Sequence, residues 1–335
     1  MDATAATAAR RGRPAARLPL APILIVAAAP VSLGVALAVG SVSIPLHEWW
    51  TALWGGGTPI DREIIWHLRA PRAFAAFSVG GLLALAGAVL QVLLRNPLAD
   101  PYLLGISGGA SVGALLGMLS AVPLSGGALA LTGALFSTGL LSLIGRRGIA
   151  FDPYRIILAG VALAAGAGAI VGLILALAPA ERIHGMLFWL MGDLADSGNP
   201  LTAALVLVGT TAVCTAFAAD LDALGLGAQK AATLGVAVVR TQWIALACAV
   251  AATAAAVLLA GSLGFVGLVV PHLVRLAGYR SHRALIPLAV FAGGALVTAA
   301  DTAARSLAAP IELPVGSMLA LIGVPALVWL IVRLR

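Results

Sequence analysis

Ionisable side chains within apolar sequence are the residues here that could do chemistry, and they are few. Asp301 stands in the apolar run 285–305 with Arg305 four residues on. A carboxylate at such depth is expensive without a partner, so an i,i+4 ion pair between Asp301 and Arg305 is the economical expectation. A proton relay through Asp301 would need further carboxylates or histidines in neighbouring runs, and only His272 is available. His272 follows Pro271 in Gly267-Leu268-Val269-Val270-Pro271-His272-Leu273-Val274-Arg275. Proline breaks a helix ladder there, so His272 and Arg275 are expected either to satisfy the freed backbone groups or to face a gate. Cys214 and Cys248 both lie in apolar runs with no Cys/His ligand spacing, and read as small packing residues rather than a metal site. No G-x-x-x-x-G-K-[ST] occurs, and the sole lysine, Lys230, follows Gln229 outside any phosphate-cradling loop. The chain therefore cannot itself be an ATPase. No Ser/His/Asp arrangement supports an enzyme within the membrane.

The elements that must position these residues follow from composition. Of 335 residues, 61% are hydrophobic and 10% charged, with mean hydropathy +1.06, whereas soluble domains carry about 25% charged residues. This describes an all-α polytopic membrane protein, because backbone groups in hydrocarbon must be satisfied internally and no strand-like alternation is present. Net charge +7 does not indicate nucleic acid, since the basic residues are scattered and form no face. A basic tail, 1–17, precedes an apolar run from Leu18 to Val39, which is too long for a signal-peptide core and reads as an uncleaved first span. Spans are expected near 18–40, 73–94, 103–120, 126–145, 156–178, 201–219, 241–260, 265–278, 285–305 and 314–332, making 18–335 a single membrane domain. With ten spans and both termini cytoplasmic, Arg10, Arg11, Arg13, Arg17, Arg95, Arg146, Arg147, Arg155, Lys230, Arg240, Arg275, Arg280, Arg283, Arg333 and Arg335 fall inside. Arg62, Arg69, Arg72, Arg182 and Arg305 fall outside, as the positive-inside rule asks. Dense Gly and Ala let helix backbones approach closely.

Several motifs punctuate these spans. Arg95-Asn96-Pro97-Leu98-Ala99-Asp100-Pro101-Tyr102-Leu103-Leu104-Gly105-Ile106-Ser107-Gly108-Gly109-Ala110 places a prolyl turn between two apolar runs. Ser107, Gly108 and Gly109 would either make room for a bulky solute or permit close helix contact. Asp220-Leu221-Asp222-Ala223-Leu224-Gly225-Leu226-Gly227-Ala228-Gln229-Lys230-Ala231-Ala232-Thr233-Leu234-Gly235 is the longest internal polar connection, two short helical stretches parted by glycine. Arg69-Ala70-Pro71-Arg72, Phe188-Trp189-Leu190-Met191-Gly192, Glu312-Leu313-Pro314 and Gly323-Val324-Pro325 complete the set. In this order the motifs closely resemble the permease subunits of ABC importers for iron chelates, haem and cobalamin, the FecCD type, over nearly the whole chain.

The resemblance implies a bacterial inner-membrane, multi-pass permease that pairs with a second copy of itself. It also implies two ATPase subunits, carrying ATP and Mg, on the cytoplasmic side and a periplasmic substrate-binding protein outside, with no cofactor bound by this chain. Within 220–235, residues Asp220, Asp222, Leu224, Gly225, Gly227, Ala231, Leu234 and Gly235 resemble the coupling helices that rest in a groove of the ATPase. Arg69, Arg72 and Arg305 resemble the arginines that dock acidic residues of the binding protein, although they could instead anchor helix ends at the headgroups. Trp189 reads as an interfacial anchor and as part of a short helix at the outer mouth. Asn96, Pro97, Ser107, Gly108, Gly109, His272 and Arg275 are the pathway or gate candidates. Apolar spans suit a large amphipathic macrocycle such as haem slightly better than a highly polar siderophore, so haem is favoured with ferric siderophore and cobalamin as the alternatives, and His272 is a conceivable haem ligand. An ion-coupled secondary transporter is the different-class alternative, and would need ionisable residues clustered at mid-membrane.

Overall fold

The computed structural model describes residues 20–120, 126–147, 150–195 and 199–333, so the basic tail 1–17 and Arg335 lie outside the described residues. In chain order the helices are α1 (Ala21–Ala38), α2 (Leu46–Leu53), α3 (Pro59–Glu63), α4 (Ala70–Leu93), α5 (Ile106–Leu119), α6 (Gly126–Ile144), α7 (Pro153–Leu177) and α8 (Ala180–Met191). There follow α9 (Pro200–Ala216), α10 (Ala218–Gly225), α11 (Ala228–Thr233), α12 (Val238–Ala260), α13 (Val266–Leu276), α14 (His282–Ser306) and α15 (Val315–Arg333). A π turn, Ile64–Arg69, runs into α4, and a 3-10 turn, Pro101–Leu104, precedes α5. Among the described residues the only strands are a two-residue antiparallel pair, Arg146–Arg147 with Ala150–Phe151.

Every expected apolar run contains a helix, but the helices differ in reach. Among the described residues six are long and apolar enough to cross a membrane: α1, the stretch Pro59–Leu93, α6, α7, α12 and α14. The pair α9 and α10, bent by 64°, would add a seventh, whereas α5, α13 and the apolar part of α15 are shorter. Length and apolarity thus give six or seven spans where the sequence suggested ten. The shortness of α13 has a visible cause. Its first turn meets α4 at Gly87, most of the way down that helix, and the chain from Gly261 to Phe265 is not helical.

The core is built around α4, in which 20 of 24 residues are buried and against which α14, α12, α13 and α9 pack. Between apolar helices in lipid, contact distance supplies much of the attraction. A Cβ on Gly80 would lie 2.1 Å from the Gly293 carbonyl oxygen of α14, and one on Gly87 would lie 1.9 Å from that of Gly267 in α13. The same device joins α5 to α6, where a Cβ on Gly109 would lie 2.3 Å from the Gly133 carbonyl oxygen, while one on Gly108 would meet Ala167 of α7. Ser107 is buried beside them. The small residues that open the third apolar run are therefore used, within the protomer, for helix contact.

Candidate functional site

At one end of α4 three arginines surround a cavity of about 280 Å³ whose walls include Arg69, Arg72, Arg305 and Glu312. Pro71 cannot continue the ladder ahead of it, and the chain enters α4 through the π turn, with the Ala70 N–H donating to the Ile65 carbonyl. Arg69 and Arg72 then diverge. Arg69 is only 4% exposed and donates to the Leu37, Ala38 and Val42 carbonyls at 2.9, 2.8 and 2.5 Å. Arg305, 5% exposed, donates to the Ala36 carbonyl. Both guanidiniums thus cap the C-terminus of α1, where unpaired carbonyls and the helix dipole favour a cation.

Arg72 instead clamps Asp301, with Nε 3.0 and 3.2 Å from its two oxygens and Nη2 2.9 Å from Oδ1. Its Nη1 reaches Glu312 Oε2 at 2.9 Å. The expected pair of Asp301 with Arg305 exists at 3.6 Å, but the short contact is to a residue 229 positions away. Three arginines against two carboxylates leave one positive charge in excess around the cavity. Arg72 and Glu312 are the more exposed of the four, with side chains 13% and 38% exposed, whereas Arg69 and Arg305 line the cavity from buried positions.

At the other end, α4 closes in a Schellman turn. The Asn96 N–H donates to the Gln91 carbonyl at 3.0 Å and the Arg95 N–H to that of Val92 at 3.2 Å, with Arg95 at φ +48°, a conformation usually left to glycine. Asn96 Oδ1 accepts from the Leu98 N–H at 3.0 Å, fixing the turn through Pro97. Asp100 Oδ1 accepts from the Tyr102 N–H at 2.8 Å and starts the 3-10 turn. Burial pushes the Asp100 carboxyl up to about 6, against the pull of that hydrogen bond.

Gln91 joins this turn to α13. Pro271 has no N–H to offer the Gly267 carbonyl, and Gln91 Nε2 supplies the missing donor at 3.2 Å while also reaching the Leu268 carbonyl at 3.3 Å. Arg275 Nη1 donates to Gln91 Oε1. The freed backbone is thus satisfied by Gln91, with Arg275 supporting it, and not by His272, which is buried nearby in α13. Gln91 was legible as the one uncharged polar side chain beyond serine in the apolar run 73–94.

The segment 220–235 lies at this same end. Gly227, at φ +105°, brings its Cα near Arg95, whose Nη1 would be 3.3 Å from a Cβ there. Asp222 turns inward and binds the start of α14. It accepts from the His282 N–H at 2.9 Å, Ser281 Oγ at 2.8 Å and His282 Nδ1 at 2.5 Å. Asp220 Oδ2 accepts from Thr241 Oγ1 at 3.4 Å. Leu224 and Ala231 are buried, while Leu226 and Leu234 are exposed large apolar residues. Of the expected coupling residues, Asp222, Leu224 and Ala231 therefore fasten the segment to the bundle. Leu234, Gly225 and Gly235 are exposed, and Leu226 joins them as an outward residue that the motif did not single out. Cys214 of α9 and Cys248 of α12 are free and buried, their thiols in contact.

The FecCD transport family matches residues 25–333. The cobalamin import system permease protein BtuC of Halobacterium salinarum is 41% identical over 82% of this chain and 75% of its own. The hemin transport system permease protein HmuU of Yersinia pestis is 36% identical over 90% and 93%. A solved structure of a metal-chelate type ABC transporter in an inward-facing conformation superposes with TM-score 0.81 at 26% identity, covering 94% of this chain and 99% of that one.

Proposed function

The chain belongs to the FecCD transport family, and from that premise we propose that it carries a metal chelate inward through a pathway shared with a second copy of itself. Family membership makes it the inner-membrane permease subunit of an ABC importer, a family that works with separate ATPase and binding-protein chains. The finer reading rests chiefly on α14, the helix that links the two candidate sites. At its first residue α14 is held by Asp222 of the 220–235 segment, and at its far end it carries Asp301 and Arg305 of the arginine cavity. A 25-residue helix is about 37 Å long, so a push delivered to the segment by an ATPase reaches the opposite end through one rigid element. In this reading Leu226, Leu234 and Gly235 meet the ATPase, and an acidic side chain of the binding protein enters the cavity among Arg69, Arg72 and Arg305. Such charge complementarity fixes register and speeds encounter more than it adds affinity.

The second copy is placed against α7. Ala165, Gly168, Ala169 and Gly172 are exposed along that helix, and a Cβ on Gly168 or Gly172 would meet nothing within 4 Å. In α4 the comparable glycines are all in use against neighbours. An apolar, small-residue wall on α7 suits a large amphipathic macrocycle, which makes haem the substrate we favour, with cobalamin or a ferric siderophore as the alternatives. Relatives named for cobalamin and for hemin are similar to the chain over most of its length.

The test is uptake into proteoliposomes containing the chain with its ATPase subunits and binding protein, offered haem, cobalamin or a ferric siderophore in turn. Uptake of haem that requires ATP hydrolysis is the expected result. Uptake driven by an ion gradient in vesicles holding the chain alone would favour a secondary carrier.

A further inference from the structure

The segment between α1 and α4 bears an apolar surface that the transport reading does not use. Leu46, Trp50 and Trp54 are 74%, 55% and 74% exposed. The two indoles meet edge to face, with ring centroids 5.9 Å apart and planes at 67°, and Trp49 lies tilted against Trp50 at 6.1 Å. At about 100° per residue, α2 has three sides. Trp49 and Ala52 lie on the side turned to the protein, where Ala52 is fully buried. Leu46 and Trp50, with Trp54 just beyond the helix, form the second side. His47, Glu48 and Thr51 form the third, which is polar and solvated.

We infer that α2 lies in the outer membrane–water interface, with the Leu46, Trp50 and Trp54 side set into the phospholipid headgroup and upper acyl region. Tethering, together with the three-sided character of the helix, favours a lipid surface over a soluble partner. Arg69 donates to the Leu37 and Ala38 carbonyls and also to that of Val42, so the chain is still pinned to the end of α1 at Val42. Leu46 is only four positions further on, a reach of roughly 14 Å. The headgroup zone on one side of the hydrocarbon core is about 5–7 Å deep, so even fully extended this tether keeps α2 at or just beyond the membrane surface. A helix held so close to the end of a span, with a protein side, an apolar side and a polar side, satisfies all three only at the corner where bundle, lipid and water meet. Indole suits that position, since its ring is apolar and its N–H remains available to water or phosphate.

The full-length chain in nanodiscs tests this, using phosphatidylcholine brominated either close to the headgroup or close to the chain ends. The difference in tryptophan fluorescence between wild type and the Trp50→Phe/Trp54→Phe double variant isolates the two indoles, and the single variants give the same difference one at a time if the double variant assembles poorly. Shallow bromines should quench this component about twofold or more, and more strongly than deep ones. Quenching by aqueous iodide with none by either lipid would overturn the inference and leave the face to a soluble partner such as the binding protein. Stronger quenching by deep bromines would overturn it as well.

Discussion

Asp301 shows how far single residues can be read from sequence. That a buried carboxylate needs a cation follows from its position in an apolar run, and Arg305 is the candidate that local spacing offers. The closer partner, Arg72, lies 229 residues away, and no local pattern connects the two. Breaking a buried pair by removing one member strands the other, at a cost of about 3–5 kcal/mol. Asp301→Asn should therefore lower the thermal unfolding midpoint in detergent markedly, whereas Glu312→Gln, at the more exposed partner, should lower it little. Equal midpoints for Asp301→Asn and wild type would contradict the clamp. Asp100 makes the opposite prediction. Its carboxyl is raised by burial to about 6, so the folded state holds its proton through a range, roughly pH 4 to 6, in which the unfolded chain has lost it. The stability this proton confers is present below pH 4 and lost as pH rises through 6. Asp100→Asn can keep the cap on Tyr102 while removing the charge. It should be more stable than wild type by roughly 3 kcal/mol at neutral pH and little different near pH 4, as melts at the two pH values would show.

Among the elements, apolar runs marked the helices well because lipid demands them, and the ends of α4, α12 and α14 fall within a few residues of expectation. Irregular pieces were less legible. The non-helical stretch before α13 and the π turn before α4 answer to tertiary contacts, so composition alone gives no sign of them. The segment 220–235 was found by its polarity, yet polarity could not say which side faces the bundle. Leu224→Asp should destabilise the fold, because Leu224 is buried. Leu226→Asp with Leu234→Asp should leave the melting midpoint unchanged and weaken co-purification of the ATPase. Loss of the fold in the second variant, or full ATPase retention, would count against the assignment. At the crossing of α4 and α13, Gly87→Ala puts a Cβ 1.9 Å from the Gly267 carbonyl oxygen, and overpacking of this kind costs about 1–3 kcal/mol or more. A drop in folded yield and midpoint is the expected outcome, with an unaltered melt as the contrary one.

At the scale of the whole molecule, the order of motifs made the family legible, because turns and charged ends are where a membrane helix bundle meets its partners. The substrate was not legible, since a largely apolar wall accepts many solutes. Pairing across α7 is open to a direct check. Gly168 is exposed and a Cβ there meets nothing within 4 Å, so Gly168→Trp should fold and elute as a monomer by light scattering, and a retained dimer would move the partner elsewhere. The wider claim is that an engine on one side of the membrane drives a gate that receives cargo on the other, with α4 and α14 spanning the distance. Leu226→Cys and His67→Cys, made singly in cells, test it with a thiol reagent that cannot cross the membrane. Both sites are exposed in the protomer, and the native Cys214 and Cys248 are buried. His67→Cys should label from outside in intact cells and Leu226→Cys only after permeabilisation. Labelling of both from the same side would contradict the account.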